Sequence, residues 1–298
     1  MADGEKSAGK AKRTAIIIVN WNRLGLTRDC LNSLRKNTTY PNYEVIVVDN
    51  ASSDGSVAAL RKEFPWTRVI ANSRNEGFAG ANNRAFNDVR ADYYFMLNND
   101  TLLTKNWLVN AVKVMESDAR IGVVGCEEVT NLPDFNAKKY GKCADRDVMT
   151  VSGATMLVRA EVLRKVGTLD AKEFSPAYGE ETDLNYRAHN AGYRIVRTCK
   201  SSIMHFGGKS SEQLGSAEQY LLCNTNRIKV MLYNLGILNL IRHVPGWGLI
   251  FVKSVPEMRT HLLLRAAWRN LRNAGKIMRE RRKRAESAKK LRQKLFGE

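Results

Sequence analysis

The chain has 298 residues, of which 44% are hydrophobic, and its 48 Lys and Arg outnumber 30 Asp and Glu to give a net charge of +18. This length and apolar content allow one large domain with an appendage, or two modest domains. The five cysteines form no C-x-x-C pair, which argues for a reducing compartment and against a disulfide framework or a zinc site.

The positive charge is concentrated at the C-terminus. Residues 253–298 contain 15 basic and 4 acidic side chains, so they carry +11 of the +18. Residues 1–13 add +2, from 4 basic and 2 acidic side chains, which leaves +5 for positions 14–252. The first 13 residues are polar and lack the apolar core of a signal peptide, so we interpret them as a disordered basic lead-in.

From Thr14 onward, short apolar runs alternate with amphipathic segments, which predicts a mostly parallel sheet flanked by helices. Strands are predicted at 14–21, 43–50, 67–72, 93–100, 122–129 and 151–160. Helices are predicted among them at 26–37, 57–64, 106–117 and 180–192. The sequence shows no internal repeat, so these elements belong to one α/β domain.

Polar residues follow the ends of the predicted strands, and open α/β sheets bind ligands at that edge. Asp49 follows four apolar residues, and its carboxylate can accept a hydrogen bond from the imide N–H of uracil or thymine. Asp100 ends another apolar run, and its hard oxygens suit Mg²⁺ or Mn²⁺ bound jointly with a diphosphate. Helix capping is the alternative role for both carboxylates.

Three carboxylates and one histidine complete the set of candidates. Glu180, Glu181 and Asp183 crowd the start of a predicted helix, and crowding of like charges raises pKa values, which prepares a general base. Simple complementation of the helix dipole is the alternative. His205 follows an apolar strand and precedes two glycines, so it is a candidate ligand for a metal or a diphosphate, with a structural role as the alternative.

In combination, these motifs resemble those of family 2 glycosyltransferases of GT-A fold, and within that family the rhamnosyltransferase-like branch. The resemblance covers about residues 14–230 and is carried by IIIVNWN, EVIVVDNASSDGS, NEGFAGANNRAF, MLNNDT, SGATMLVRAEVLRKVGTLD, YGEETDLNYR and IMHFGGKS. Two positions depart from the branch: Asn99 replaces the usual Pro, and Glu181 stands where Asp is usual. Because Glu changes the reach and angle of the carboxylate, Glu180 and Asp183 also remain candidates for the base.

The resemblance implies a role for each matched residue. Asp100 would hold a divalent metal, Mg²⁺ or Mn²⁺, on the diphosphate, and His205 would contribute from the far side. Glu181 would deprotonate an acceptor hydroxyl as it attacks the anomeric carbon and inverts its configuration. Asp49 would bind the base, within a nucleotide-binding set that comprises Asn20, Asp49, Asn75, Gly77 and Asn98.

Residues 230–252 are apolar but contain Asn234, Asn239, Arg242, His243 and Pro245, and no run of 18 apolar residues occurs anywhere in the chain. This pattern argues against a simple membrane span. Two apolar segments around a polar break favour a position in a membrane interface. A core helix packed on the main domain is the alternative.

Past Pro256, the sequence predicts a long basic amphipathic helix, which favours binding to an anionic membrane surface. Each Lys or Arg near such a surface contributes about 1 kcal/mol. A solvated helix and a coiled-coil arm are the alternatives, and the scarcity of aromatic residues argues against nucleic acid. The apolar positions of the helix are Leu264, Trp268, Leu271, Ala274, Met278, Ala285, Ala288, Leu291 and Leu295.

The sequence thus predicts a lead-in at 1–13, a GT-A catalytic domain at 14–229, and a membrane-associating helical region at 230–298. We expect a metal-dependent, inverting glycosyltransferase that acts at the cytoplasmic, inner face of the cell membrane. Its donor would be a UDP- or dTDP-sugar, with dTDP-rhamnose as one candidate, and its acceptor a lipid-linked glycan or a polysaccharide. The alternatives are a noncatalytic module that binds nucleotide sugars or nucleic acid, and a sugar nucleotidyltransferase.

Overall fold

The computed structural model describes residues 11–131, 135, 144–207 and 215–298. Most of the predicted lead-in lies outside these residues, as does Gly208 with the end of the motif that contains His205. Within the described part of the chain, nine strands form one sheet. They are β1 (Thr14–Asn20), β2 (Tyr43–Asp49), β3 (Arg68–Ala71), β4 (Tyr93–Asn98), β5 (Thr101–Leu103), β6 (Ile121–Val129), β7 (Arg146–Asp147), β8 (Thr155–Arg159) and β9 (Arg194–His205).

The sheet has the order β3-β2-β1-β4-β8-β6-β9-β5, and β7 pairs with β9 at its side. The first four strands of this order run parallel to one another. β8 is antiparallel to both of its neighbours, β6 is parallel to β9, and β5 is antiparallel to β9. The predicted parallel arrangement therefore holds for β1 to β4, while the second half of the sheet is mixed.

Parallel pairing brings the polar strand ends together. Asn20 is the register partner of Asp49, and Val19 is the partner of Asn98. The preceding residues of β1, β2 and β4 are mostly Ile, Val, Tyr and Phe and are mostly buried, as a strand covered on both faces requires. The candidate nucleotide-binding residues consequently lie at one edge of the sheet.

Helices cover both faces of the sheet. Residues that alternate along β1 belong to different cores: Ile16 and Ile18 pack on the side of α1 and α4, and Ala15 and Ile17 pack on the side of α3, α5 and α7. Trp107 of α4 is fully buried and packs edge to face on Phe95 with ring centroids 4.8 Å apart. The helices are α1 (Leu24–Asn37), α2 (Ser56–Glu63), α3 (Gly77–Asp88), α4 (Trp107–Ser117), α5 (Ala160–Val166), α6 (Ala171–Phe174) and α7 (Glu180–Asn190).

A bulge interrupts the pairing of β6 with β9. Cys126 pairs with Thr198, but the next residue of β6, Glu127, pairs with Ser202. One step along β6 thus corresponds to four steps along β9, so β9 contains three extra residues at this point. Bulges bend a strand and redirect its side chains. The bulge changes which residues of β9 stand beside the end of β6.

The C-terminal helices begin with α8 (Ser216–Asn234), which crosses the predicted boundary at residue 230 without a break. It packs against α7, α11 and α12. The chain continues through α9 (Ile237–Arg242), α10 (Val244–Ser254), α11 (Thr260–Arg272) and α12 (Ala274–Phe296). Among the described residues, every helix is too short or too polar to span a bilayer.

The apolar side chains of the basic tail face two different surroundings, in contrast to the single stripe that the sequence predicts. Leu291 and Leu295 of α12 pack against the core that contains α3 and α7. Phe296 continues this contact, since its ring meets that of Tyr193 edge to face at 5.5 Å. In α11, Trp268 remains 58% exposed. The end of the tail is therefore docked on the domain that contains the sheet, and the earlier part of the tail offers apolar side chains to an external surface.

The cysteines differ from expectation at one position. Cys30, Cys126 and Cys223 are free, but Cys199 in the β9 bulge is disulfide-bonded. Scattered spacing without a C-x-x-C pair does not predict such a bond, because bridging depends on how the folded chain places two distant cysteines.

Candidate active site

The ends of β1 and β2 are joined by a buried hydrogen-bond network. Asn20 Nδ2 donates to Asp49 Oδ2 at 2.7 Å, and the backbone N–H of Ser52 donates to Asp49 Oδ1 at 2.9 Å. Thr27 of α1 donates to Asn20 Oδ1 at 2.7 Å and accepts from Asn99 Nδ2 at 3.0 Å. Both oxygens of Asp49 thus have a protein donor, and each keeps a second lone pair for another donor.

Asn50, the residue after β2, fixes the loop that leads into α3. Its Nδ2 donates to Asn75 Oδ1 at 2.7 Å and to the carbonyl of Gly77 at 3.2 Å. Its Oδ1 accepts from the backbone N–H of Glu76 at 3.0 Å. Gly77 has a φ of +70°, and a Cβ there would lie 2.5 Å from the carbonyl oxygen of Pro176. Glycine is required because the loop before α7 rests directly on the start of α3.

Asp100 and His205 lie side by side where β5 pairs with the end of β9. His205 Nε2 is 3.3 Å from Asp100 Oδ1 and 3.3 Å from Asn98 Nδ2. On the other side of the ring, Nδ1 is 2.9 Å from Glu128 Oε2. Burial lowers the pKa of His205, but the contacts with Asp100 and Glu128 outweigh it and raise the pKa to about 9.

The Asp100–His205 pair fits a divalent cation. Asp100 is 2% exposed, and its Oδ1 makes no hydrogen bond of acceptable geometry to the described residues. A buried carboxylate oxygen without a donor, next to an imidazole nitrogen, offers ligands suitable for Mg²⁺ or Mn²⁺. Nowhere in the described ranges do three or more His, Cys, Asp or Glu side chains converge as a metal site. Diphosphate oxygens and water would therefore have to complete the coordination.

The start of α7 carries two carboxylates of different accessibility. Burial is the main cause that raises the pKa of Glu181, whose side chain remains partly exposed. Glu180 is 3% exposed, and burial followed by the charge of Glu181 raises its pKa well above the usual range. Oε2 of Glu180 accepts no hydrogen bond within the described part of the chain. Both groups have the raised pKa of a candidate base, and Glu181 is the one that a substrate can reach.

Asp183 lies on the same helix in a different environment. It is fully buried, and its Oδ2 accepts from Arg187 Nε at 2.7 Å. Its Oδ1 accepts from Asn234 Nδ2 at 2.8 Å and from Arg284 of α12. Two guanidinium groups and one amide occupy both oxygens of this fully buried carboxylate, which leaves it inaccessible to a substrate. The geometry therefore favours Glu180 and Glu181 over Asp183 as the base.

The turn before β8 connects the start of α7 with the end of β4. The Cβ and Cγ of Glu181 lie 3.1 and 3.2 Å from the Cβ position of Gly153, with Phe78 on the other side at 3.4 Å. The next residue, Ala154, accepts a hydrogen bond on its carbonyl from the backbone N–H of Asn98 at 2.9 Å. The predicted site residues are therefore linked through a short segment. A cavity of about 400 Å³ opens beside Asp100 on the side of α1, and its lining includes none of the other predicted site residues.

Comparison with known proteins assigns this arrangement to a family. The signature of the family described as Glycosyl transferase family 2 matches residues 15–167, which is about half of the chain. The chain belongs to glycosyl transferase family 2. The match contains Asp49 at the end of β2 and Asp100 in the turn between β4 and β5. The predicted family is therefore confirmed, while the rhamnosyltransferase-like branch stays a prediction.

Several curated proteins are similar to this family 2 chain. The O-antigen biosynthesis protein RfbC of Myxococcus xanthus is 24% identical in an alignment of 221 residues that covers 65% of this chain and 17% of that protein. The uncharacterized glycosyltransferase YwdF of Bacillus subtilis (strain 168) is 28% identical in an alignment of 225 residues that covers 70% of this chain and 81% of that protein. The chain thus spans a minor part of the first relative and most of the second.

Solved structures confirm the GT-A fold. A mannosyltransferase from Pyrobaculum calidifontis, in complex with GDP-Man and Mn²⁺, has a TM-score of 0.60 at 18% identity and covers 97% of this chain and 89% of its own. S. aureus TarS 1-349, in complex with UDP-GlcNAc, has a TM-score of 0.62 at 16% identity, with 94% and 90% covered. These similarities extend over the C-terminal helices as well as the sheet.

Two residues of the site were missed by the sequence reasoning. Glu128 contacts His205, and Asn50 holds the loop that contains Asn75 and Gly77. The signal for Glu128 is present, since an acidic pair ends the apolar run of β6, as at other strand ends. Asn50 stands between a carboxylate and two serines that were interpreted as ligand-binding and capping residues. In the structure its buried amide forms hydrogen bonds with four partners, which is a structural role.

Proposed function

We propose that this chain is a metal-dependent, inverting glycosyltransferase that moves a sugar from a nucleoside-diphosphate donor to a hydroxyl of a lipid-linked or polysaccharide acceptor. The observation that carries the proposal is the buried Oδ1 of Asp100, which makes no hydrogen bond of acceptable geometry with the described residues and lies 3.3 Å from His205 Nε2. In a family 2 chain, this arrangement at the sheet edge is suited to a cation shared with a diphosphate. Such a cation, when bound, neutralises the charge that develops on the departing diphosphate.

The donor would lie along the carboxyl ends of β1, β2 and β4. Asp49 would accept from the imide of a uridine or thymidine base, and Asn20 holds that carboxylate in place. Asn75 and Gly77 would line the same nucleotide from the start of α3, with Asn98 near the diphosphate. UDP- and dTDP-sugars are the proposed donors, and dTDP-rhamnose is one candidate. Solved neighbours that hold GDP-Man or UDP-GlcNAc support a nucleotide-sugar donor in general.

Glu181 is the proposed general base. It is partly exposed and stands at the start of α7, whereas Glu180 is buried and Asp183 is held by two arginines. Its carboxylate would accept the proton of the acceptor hydroxyl while the oxygen attacks the anomeric carbon from the side opposite the diphosphate. Burial raises its pKa, which increases the affinity of the ionised form for that proton.

The C-terminal region would hold the enzyme on the inner, cytoplasmic face of the cell membrane. Apolar side chains that are at least 45% exposed recur from α9 to the first turns of α12, and basic residues lie between them. Apolar and basic groups together match an interface that contains anionic lipids. The exposed set comprises Ile237, Leu238, Ile241, Val244, Leu249, Phe251, Val252, Val255, Met258, Leu264, Trp268, Leu271 and Met278. This placement supports a lipid-linked acceptor.

The decisive experiment is calorimetric titration with UDP-, dTDP- and GDP-sugars in Mg²⁺, Mn²⁺ or EDTA. We expect one uridine or thymidine donor to bind in the presence of metal and to lose at least tenfold in affinity in EDTA. Asp100→Ala should abolish the metal dependence, while Glu63→Ala, a change in an exposed carboxylate of α2 that pairs with Arg28, should preserve it. Metal-dependent binding without sugar transfer would instead support the noncatalytic module. Formation of a nucleotide sugar from a sugar phosphate would support the nucleotidyltransferase.

A further inference from the structure

We propose that Glu128 is a positioning residue that orients His205 toward the cation. The proposal rests on the proposed function, because it assumes that Asp100 and His205 form a metal site. Glu128 lies on β6, in the second half of the sheet, and is separated from His205 by 77 positions in the sequence. It would act on the metal through the imidazole rather than by direct ligation.

Both oxygens of Glu128 are already engaged. Oε2 is 2.9 Å from His205 Nδ1, and Oε1 accepts from the hydroxyl of Thr155 at 3.0 Å. Thr155 therefore fixes one oxygen of the Glu128 carboxylate, and the other oxygen fixes the orientation of the His205 ring. When Nδ1 donates its proton to Glu128, the lone pair of Nε2 is available to a cation, and Nε2 is the nitrogen that faces Asp100 Oδ1. Carboxylates that accept from a ligating histidine orient the ring and increase its basicity.

The β9 bulge makes this contact possible. After the bulge, Glu128 is the register partner of Ile203, so His205 lies two residues farther along β9 and on the same face of that strand. If the register of Cys126 with Thr198 continued without the bulge, Glu128 would pair with Lys200, and His205 would be five residues away. Bulges beside active sites commonly redirect a side chain in this manner. The three extra residues of β9 thus bring the carboxylate to the imidazole.

The test is direct measurement of Mn²⁺ binding to the full chain, by electron paramagnetic resonance of free Mn²⁺ with and without UDP. Glu128→Ala should weaken Mn²⁺ binding about 10- to 100-fold, the usual effect of removing an outer carboxylate. Glu128→Gln should recover part of the loss, because its amide oxygen can still accept from Nδ1. Glu127→Ala is the matched control, since Glu127 is the preceding residue of the same strand, and it should leave Mn²⁺ binding unchanged.

A double-mutant cycle distinguishes positioning from a general effect on the fold. In a His205→Ala background, Glu128→Ala should cause no further loss of Mn²⁺ affinity, because the ring through which it acts is gone. Equal losses in both backgrounds would overturn the proposal. So would unchanged Mn²⁺ binding in Glu128→Ala together with lost binding in Asp100→Ala, although the proposed function would then stand. If Asp100→Ala also bound Mn²⁺ normally, the metal site itself, and with it the proposed function, would be refuted.

Discussion

At the scale of single residues, the carboxylates at the start of α7 show how environment separates groups of the same chemistry. Glu180 is buried, and its Oε2 has no hydrogen-bond partner among the described residues. Glu181 is partly exposed, and Asp183 contacts two arginines. The sequence predicted three candidate bases in four positions. It could not rank them, because the rank depends on solvent access and on cations from elements far away in the chain.

Replacement of Glu181 by Gln should lower kcat by about 10²- to 10⁴-fold, because the amide cannot accept the proton of the acceptor hydroxyl. Donor binding should stay within about twofold of the original. Burial raises the pKa of Glu181 above 4.5, and a base works only when it is ionised. As the pH is lowered, the activity of the unmodified chain should therefore begin to fall while the pH is still above 4.5. Steady-state transfer kinetics from pH 4.5 to 8.5 measure both effects. A Glu181→Gln variant with normal kcat would assign the base to another residue.

Ionisation of Glu180 should destabilise the folded chain, whereas ionisation of most carboxylates stabilises it. Its folded pKa is raised, so the folded chain binds more protons than the unfolded chain, and its contribution to stability is lost as pH rises above the unfolded pKa. Gln does not ionise, so Glu180→Gln avoids this loss of stability at high pH. The variant should raise Tm at pH 7 by about 2–4 °C, with little change near pH 4. Scanning calorimetry at both pH values checks this. A lower Tm at pH 7 would show that the ionised side chain is stabilising.

At the scale of elements, α12 packs against α7 and is joined to it by an ion pair. Arg284, whose side chain is 11% exposed, contacts Asp183, pairs with Asp170 at 3.0 Å and lies over the ring of Tyr233 at 4.5 Å. Lys276 of α12 pairs with Glu173 of α6, the helix that precedes α7 in the chain. Since Asp183 follows Glu181 by two positions, the helix that carries the proposed base is fixed by a residue of the basic tail.

Arg284→Met should destabilise the chain by about 3 kcal/mol, because it leaves Asp183 and Asp170 with fewer cationic partners in a buried site. In this variant Asp183 still contacts Arg187 and Asn234. The loss of stability should therefore not exceed the loss expected when one partner of an isolated buried ion pair is removed. Urea denaturation followed by circular dichroism measures the difference. Arg282→Met, an exposed position on the same helix, is the control and should change stability by less than about 0.5 kcal/mol.

At the scale of the whole molecule, charge and apolar exposure coincide in the C-terminal region. The tail from residue 253 carries +11, and most of the large apolar side chains that remain exposed among the described residues lie between 237 and 278. Part of the positive charge is consumed in ion pairs with the catalytic domain, as for Arg284 and Lys276. The rest is available to an anionic surface.

Binding to lipid vesicles tests this arrangement. The chain should cosediment with vesicles that contain anionic lipid, bind neutral vesicles weakly, and dissociate as salt increases. Trp268→Ser should weaken binding about tenfold or more, because a large exposed apolar side chain is lost. Met149→Ser, which removes an exposed apolar side chain from the catalytic domain, is the control. Equal binding of both variants and the original chain would contradict the proposed membrane surface.

The sequence by itself determined strands β1 to β4, β6 and β8, helices α1, α2, α4 and α7, the polar ends of β1, β2 and β4, and the family. Alternation of apolar and amphipathic segments is a local pattern, and parallel pairing then places the strand ends at one edge. Only the tertiary structure decided that Asp183 pairs with Arg284, that the β9 bulge brings Glu128 to His205, and that α12 docks on the domain. These features depend on contacts between residues about 75 to 100 positions apart, which packing sets and local periodicity does not encode.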